Sequence, residues 1–186
     1  MKIAVRAATA DDAEAIAEAS LRAWEEGFRG IVPPEIDARQ AWDPDRVRAR
    51  LREEGRQTGH AVAELDGRIM GYLVFGPSRD PDASPSVGEI WALYVHPDAW
   101  RRGLGRALLA HAIGQLRGLG FREVTLWTLA KSPSARAFYE ACGLASDGAS
   151  QRREALGRPL EIRYRMPLPR RRRRRIQDRP KLRGFA

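Results

Sequence analysis

The stretch Glu89-Ile90-Trp91-Ala92-Leu93-Tyr94-Val95-His96-Pro97-Asp98-Ala99-Trp100-Arg101-Arg102-Gly103-Leu104-Gly105-Arg106-Ala107-Leu108-Leu109 decides how this chain is read. Its first part, Glu89 to His96, is almost wholly apolar, the pattern of a strand covered on both faces and central in its sheet. Pro97 and the glycines at 103 and 105 then turn the chain into a helix predicted from about Gly103 to Leu119. Glycines let a backbone approach a ligand closely, and the first N–H groups of a helix lack intrahelical acceptors and point outward at an anion. A pyrophosphate suits such a turn. The Gly-Lys-Ser/Thr ending of a Walker loop is absent, and Leu108 stands where a dinucleotide fingerprint has its third glycine, so neither of those phosphate motifs is present. Taken alone, two glycines shaping a tight turn account for the segment equally well.

Downstream, a strand is predicted over Glu123 to Leu129, a helix over Pro133 to Cys142 and a last strand around Glu161 to Met166. Upstream, Ile3 and Val5 alternate with polar neighbours, and Thr9 with Asp12 three positions on marks a helix start. Ala13, Ile16, Ala17, Leu21, Trp24 and Phe28 build one apolar stripe on a helix ending near Gly27 or Gly30. Pro33 and Pro34 force a loop, and Asp43-Pro44 opens a second helix running to about Gly55. Ala61 to Leu65, Asp66-Gly67 and Arg68 to Phe75 read as a hairpin with a two-residue turn. Residues 76 to 87, with Pro77, Pro81 and Pro85, read as an exposed loop. The sum is a mixed α/β layout of six or seven strands and about four helices, with one clear strand-helix-strand unit in its second half.

At 186 residues, with 43% hydrophobic and 31% charged, the chain is long enough for one domain. It has no apolar run long enough to span a membrane, and Arg6, Asp11 and Asp12 interrupt the start before a signal-peptide core forms. The single cysteine, Cys142, has no intramolecular disulfide partner, so a reducing, cytoplasmic location is expected. His60, His96 and His111 make no metal-ligand spacing, so no metal is expected. The net charge of +9 is concentrated: residues 170–186 carry nine basic side chains against Asp178. The expected organisation is a folded domain over 1–169 and a disordered Arg-rich tail over 170–186. Such a tail is either a nonfunctional extension or an electrostatic tether to nucleic acid or the ribosome. Only three of the 33 basic residues are lysine, a bias that an Arg-favouring genome produces without selection.

A second segment, Ser132-Pro133-Ser134-Ala135-Arg136-Ala137-Phe138-Tyr139-Glu140-Ala141-Cys142-Gly143-Leu144, lies one strand beyond the glycine turn. Together the two resemble the GNAT superfamily of acyl-CoA-dependent N-acyltransferases. That family joins a strand to [Gln/Arg]-x-x-Gly-x-[Gly/Ala] and a helix, followed later by Asn-x-x-Ala-x-x-Phe-Tyr-x-x-x-Gly-Phe. The resemblance covers about residues 3 to 168 and is strongest from Glu89 to Leu144. Trp100 occupies the family's Gln/Arg position and Ser132 its Asn position. Ser132 retains the helix-capping role that Ser and Asn share.

The resemblance implies a central mixed sheet with two splayed parallel strands, Glu89 to Val95 and Glu123 to Leu129, between which acetyl-CoA enters as co-substrate. Its pantetheine arm would pair with the backbone of Leu93, Tyr94 and Val95. Its pyrophosphate would meet Arg101, Arg102, Gly103, Leu104, Gly105 and Arg106, with Ser132, Ala135 and Phe138 contributing from the later helix. Tyr139 would protonate the departing thiolate. Glu89, expected on the same side as Trp91 and Leu93, would draw a proton from the amine through water, since an amine of pKa near 10.4 is protonated at neutral pH and cannot attack. Trp24, Glu25 and Phe28 are candidates for acceptor contact. Glu25 and Glu26 would attract a cationic amine, though carboxylates at a helix end are commonly just solvated. Cys142, with no base to activate it, reads as packing.

The function so implied is transfer of an acetyl group to the primary amine of a small molecule by direct attack in a ternary complex. The alternatives are acetylation of a protein terminus or lysine, guided by the basic tail, and non-catalytic acyl-CoA binding. A homodimer is a further expectation, drawn from relatives alone.

Overall fold

Seven strands and four helices make up the computed structural model, which describes residues 1–169 except 54 and 56. They are β1 (Ile3–Ala7), α1 (Ala13–Gly27), α2 (Pro44–Arg52), β2 (Gly59–Leu65), β3 (Arg68–Pro77), β4 (Val87–Val95), α3 (Leu104–Gly118), β5 (Glu123–Leu129), α4 (Pro133–Ala141), β6 (Ala145–Arg152) and β7 (Leu160–Pro167). The sheet order is β1-β2-β3-β4-β5-β7-β6. All neighbours are antiparallel except β4 and β5, which the α3 crossover makes parallel. The expected layout holds, with the final hairpin β6–β7 as the one element whose first strand the polar run Ala145 to Arg152 conceals. The Arg-rich tail lies outside the described residues.

Local chemistry sets the element ends. The β2–β3 turn has Asp66 at φ 50 and Gly67 at φ 84, the two positive angles of a type I′ hairpin turn. Asp43 accepts the N–H groups of Asp45 and Arg46, and Pro44 opens α2. Asp12 accepts the Thr9 N–H at 2.8 Å and takes both arms of the Arg6 guanidinium, at 2.7 and 2.8 Å, so that β1 and the start of α1 are tied together.

Each face of the sheet has its own core. On one, Leu104, Leu108, Leu109, Ala112 and Leu116 of α3 and Tyr139 of α4 pack on Leu73, Phe75, Ile90, Leu126 and Tyr164. Each such buried leucine contributes roughly 1.5–3 kcal/mol relative to an exposed one. On the other, Ile16 and Ala17 of α1 and Val47 and Leu51 of α2 pack on Val62, Tyr72 and Val74, with Trp91, Ala92 and Tyr94 partly buried against them.

The feature that positions the site is an irregularity in β4. Val74 pairs with Ala92 while Phe75 pairs with Ile90, so Trp91 is an extra residue. A bulge of this kind bends its strand and increases its twist. The parallel pairing of β4 with β5 covers only Val87–Ile90 against Glu123–Leu126 and ends there. Beyond it the strands part, and Trp91 to Val95 are half-buried rather than covered on both faces. The uninterrupted apolar run therefore marks a strand that borders a gap, not one packed on both sides throughout. The bulge also corrects the expected alternation. Glu89 and Trp91 share the α1/α2 face, whereas Leu93, one bulge further on, packs into the α3/α4 core.

Candidate active site

Beyond Ile90 the edge of β4 facing β5 has no strand to pair with. The His96 N–H donates to Met70 at 2.8 Å on the β3 side. Alternation then turns Tyr94 and Ala92 toward β3 and Leu93 and Val95 toward the gap. The Val95 carbonyl is taken by the Trp100 indole N–H at 2.6 Å. What the gap offers is thus the Leu93 N–H and carbonyl and the Val95 N–H. Tyr94, expected to join them through its backbone, contributes its side chain instead.

At the end of β4 a short 3-10 turn over Pro97–Ala99 leads into the glycine segment. Arg101 at φ 60 and Gly103 at φ 91 lie in the left-handed region. A left-handed residue among right-handed ones turns successive N–H groups to one side, forming an anion-binding concavity. Gly103 stands at the N-cap of α3 and no side chain caps it, so the first amides of the helix are uncovered. A Cβ on Gly105 would lie 3.2 Å from the Phe138 ring, which brings α4 tightly against the start of α3. Arg101 and Arg102 are exposed, and Arg106 reaches the Ala141 carbonyl at 3.4 Å. Leu104 offers only its amide, because its side chain is buried in the α3/α4 core.

Ser132 precedes α4 in the capping position, but its hydroxyl makes no cap hydrogen bond, which corrects the expected capping role. Ala135 and Phe138 are partly buried against the core beside it. Tyr139 is buried, its ring 5.1 Å from Phe138 and 6.2 Å from Tyr164. Burial pushes the Tyr139 phenol well above its usual value, with Tyr94 adding to the effect. Tyr94 belongs to the opposite face of the sheet. Burial likewise pushes the Tyr94 phenol up, to about 12. Cys142 is half-buried and its thiol is also raised by burial, consistent with packing.

Glu89 is buried on the α1/α2 side of the strand, but it is not a free carboxylate at a strand end. The Arg79 backbone N–H donates to one oxygen at 2.8 Å and the Arg79 guanidinium to the other at 2.6 Å. Arg79 also lies over the Trp91 ring at 4.9 Å. The loop that supplies it is held down by Arg163, which binds Asp80, Asp82 and Asp147. A cavity of about 330 Å³ beside this cluster is lined by Arg163 with its partners Asp80 and Asp82, by Arg165 with its partner Glu123, and by Arg122.

Trp24 and Phe28 pack edge to face at 5.3 Å. Glu25 pairs with Arg22 and Glu26 with Arg29 within the helix end, which neutralises the acidic patch expected to draw a cation. The structure therefore sets Leu93, Tyr94 and Val95 along the gap with the glycine turn at the end of β4, places Tyr139 in the core that Leu93 and Val95 border, sets Glu89 near the closed end of the gap, and leaves Glu25 in a local ion pair. Arg79 and the Tyr94 hydroxyl were not singled out from the sequence. Arg79 sits in a proline-rich loop with no periodicity, and Tyr94 is indistinguishable from its apolar neighbours. Among the described residues no group of three or more His, Cys, Asp or Glu is placed to hold a metal, and no helix is long and apolar enough to cross a membrane.

Residues 15–144 match the model of the acetyltransferase (GNAT) family. The chain belongs to the GNAT family. A protein of Mycobacterium tuberculosis named "Probable N-acetyltransferase Rv2775" is 30% identical over 78% of this chain and 82% of its own length. A mycothiol acetyltransferase of Cellulomonas flavigena is 40% identical over 92 residues, which are 47% of this chain. The GNAT chain spans only 26% of that relative's length. Among solved structures, the PaiA N-acetyltransferase of Thermoplasma acidophilum in complex with coenzyme A superposes with a TM-score of 0.72 at 17% identity, covering 88% of this chain and 98% of that one. The ribosomal-protein-S18-alanine N-acetyltransferase of Escherichia coli gives 0.64 at 20% identity, covering 90% and 94%. These two likenesses establish the GNAT fold.

Proposed function

We propose that this protein transfers an acetyl group from acetyl-CoA to the primary amine of a small molecule. The observation that carries the reading is the gap between β4 and β5, with unpaired backbone groups of Leu93 and Val95 on one edge; Tyr139 lies in the core that the Leu93 and Val95 side chains also border. The residues fit the co-substrate. Leu93 and Val95 supply the donors and acceptor that an amide-bearing arm needs, and the uncapped amides after Gly103 supply an anion site. Ser132 has a hydroxyl free to join them.

In this mechanism the amine nitrogen attacks the thioester carbonyl carbon, the C–S bond breaks and the sulfur leaves as a thiolate. An N–H on the open edge of β4 stabilises the oxyanion that forms. Burial keeps Tyr139 protonated through neutral and alkaline pH, so its O–H can hydrogen-bond the departing sulfur; because the same burial makes a phenolate costly, the proton it passes to the thiolate is replaced by the one the nitrogen sheds as the C–S bond breaks. The amine must lose a proton before attack, and Glu89 accepts it through water that meets lone pairs Arg79 leaves open. No covalent enzyme intermediate is needed. The mycothiol acetyltransferases among the relatives support a small-molecule acceptor. A ribosome or nucleic-acid contact through residues 170–186 and a homodimer draw no support from the fold or the relatives and form no part of the proposal.

The test is thiol release from acetyl-CoA in the presence of a panel of primary amines. Amine-dependent release that Tyr139→Phe suppresses is the expected result. Binding of acetyl-CoA without release on any amine or basic protein would favour a non-catalytic role.

A further inference from the structure

The α1/α2 face of the sheet, beside Tyr94, carries positive charge that acyl transfer itself does not use. Trp42, just before α2, packs edge-on against Tyr94 with ring centroids 5.0 Å apart, and the Arg50 guanidinium lies over the same indole at 5.1 Å. Arg50 donates to the Ala41 carbonyl at 2.6 Å, which occupies one of its five N–H donors. With Arg46, Ala41 and Ala49 it lines a groove of about 360 Å³. The nearby acids are committed elsewhere: Asp45 and Glu14 pair with Arg48, and Asp43 caps the helix. Neither Arg46 nor Arg50 has a carboxylate partner among the described residues.

The opposite wall is charge-balanced. Glu161 is buried, accepts from Gln151 at 2.9 Å and lies 3.9 Å from the Arg153 guanidinium. The turn carrying Arg153 reaches across to the α1–α2 connection. There Gly157, at φ +74, stands so near Pro33 that a Cβ would lie 2.7 Å from its ring. Trp42 links the Arg50 side to Tyr94 on β4, and Glu161 pairs with Leu129 at the far end of β5, so the two sets of charges flank the end where β4 and β5 part.

We propose that the acceptor is an amine whose far end carries a carboxylate, docked on Arg50 and Arg46 with its amine directed toward the Tyr94 side of the gap. Guanidinium binds carboxylate through two parallel N–H donors, and the indole under Arg50 orients that fork. A second ammonium at the same place would face two unpaired cations and be repelled. The assignment rests on the acetyltransferase reading and refines its acceptor.

The test compares amines of equal length and three charge types, using thiol release: γ-aminobutyrate, butylamine and diaminobutane, then δ-aminovalerate, pentylamine and cadaverine. The expected order in kcat/KM is amino acid above alkylamine above diamine, with the amino acid favoured over the diamine by about tenfold or more. In the Arg46→Gln/Arg50→Gln double variant that preference should collapse while the KM for acetyl-CoA stays the same. Diamines acetylated as well as the amino acids, or a preference that survives the double variant, would overturn the inference. So would the absence of transfer to all six in a protein that calorimetry shows to bind acetyl-CoA. Absence of acetyl-CoA binding would instead overturn the enzymatic reading beneath it.

Discussion

Arg79 holds Glu89 from two directions, its backbone N–H on one carboxylate oxygen at 2.8 Å and its guanidinium on the other at 2.6 Å. The contact ties the loop after β3 to the strand just before the bulge at Trp91. It keeps a carboxylate that is 2% exposed from standing unpaired where the strands part.

Removing the side chain should therefore cost stability. Arg79→Ala leaves the backbone N–H in place but strips the charged partner from a buried carboxylate. Because Arg79 is itself half-exposed, the expected loss is about 1–2 kcal/mol rather than the larger value of a fully buried pair. Arg79→Lys should recover less than half of it, since an ammonium cannot both reach Glu89 Oε1 and lie flat on Trp91. Urea unfolding at neutral pH measures both, and an unchanged midpoint for Arg79→Ala would show the pair to be dispensable.

Tyr139→Phe keeps the ring packing against Phe138 and Tyr164 and removes only the hydroxyl that carries the proton. We expect kcat to fall by about 10²-fold, the usual scale for loss of a general acid, with the KM for acetyl-CoA little changed. The pH profile carries the sign. A phenol whose pKa is raised above the usual value stays protonated, so kcat of the parent should show no alkaline decline up to about pH 9.5. A loss of activity centred near pH 8 would point to another acid.

Gly103→Ala tests the anion turn. At φ +91 an added Cβ is strained although the space is open, the nearest atom being Ile3 Cδ1 at 3.6 Å. The variant should raise the KM for acetyl-CoA by about 5-fold or more, the equivalent of about 1 kcal/mol of conformational strain, while kcat on saturating acetyl-CoA remains near that of the parent. An unchanged KM would remove the turn from the binding site.

Ser20 is fully buried on α1 with a hydroxyl that has no hydrogen-bond partner. Ser20→Ala removes that uncompensated group and improves helix propensity, so it should stabilise the protein by about 1 kcal/mol and raise Tm by about 2–4 °C. A lowered Tm in differential scanning calorimetry would show that the hydroxyl is satisfied.

Much of this was legible before the structure. The Asp66-Gly67 turn, the Asp43-Pro44 helix start and the glycine turn each depend on residues whose backbone preferences are strong and local, and all three stand where they were expected. What the sequence concealed depends on tertiary placement. The bulge at Trp91 leaves no trace in an all-apolar strand, yet it reverses the facing of Leu93 and opens the gap. The carboxylates at Glu25 and Glu26 read as an acidic patch until Arg22 and Arg29 are seen beside them. Arg79, Arg50 and Arg153 are three among many arginines, and only packing against Trp91, Trp42 and Glu161 distinguishes them.

Calorimetric titration of the full chain tests most directly whether acetyl-CoA enters the gap between β4 and β5. Acetyl-CoA and free CoA should be titrated separately at about 0.3 M salt, where attraction between phosphates and exposed arginines is largely screened. Micromolar, stoichiometric binding of acetyl-CoA that weakens in Gly103→Ala is the predicted result. Failure of either ligand to bind would contradict the account and mean that the gap holds no acyl-CoA.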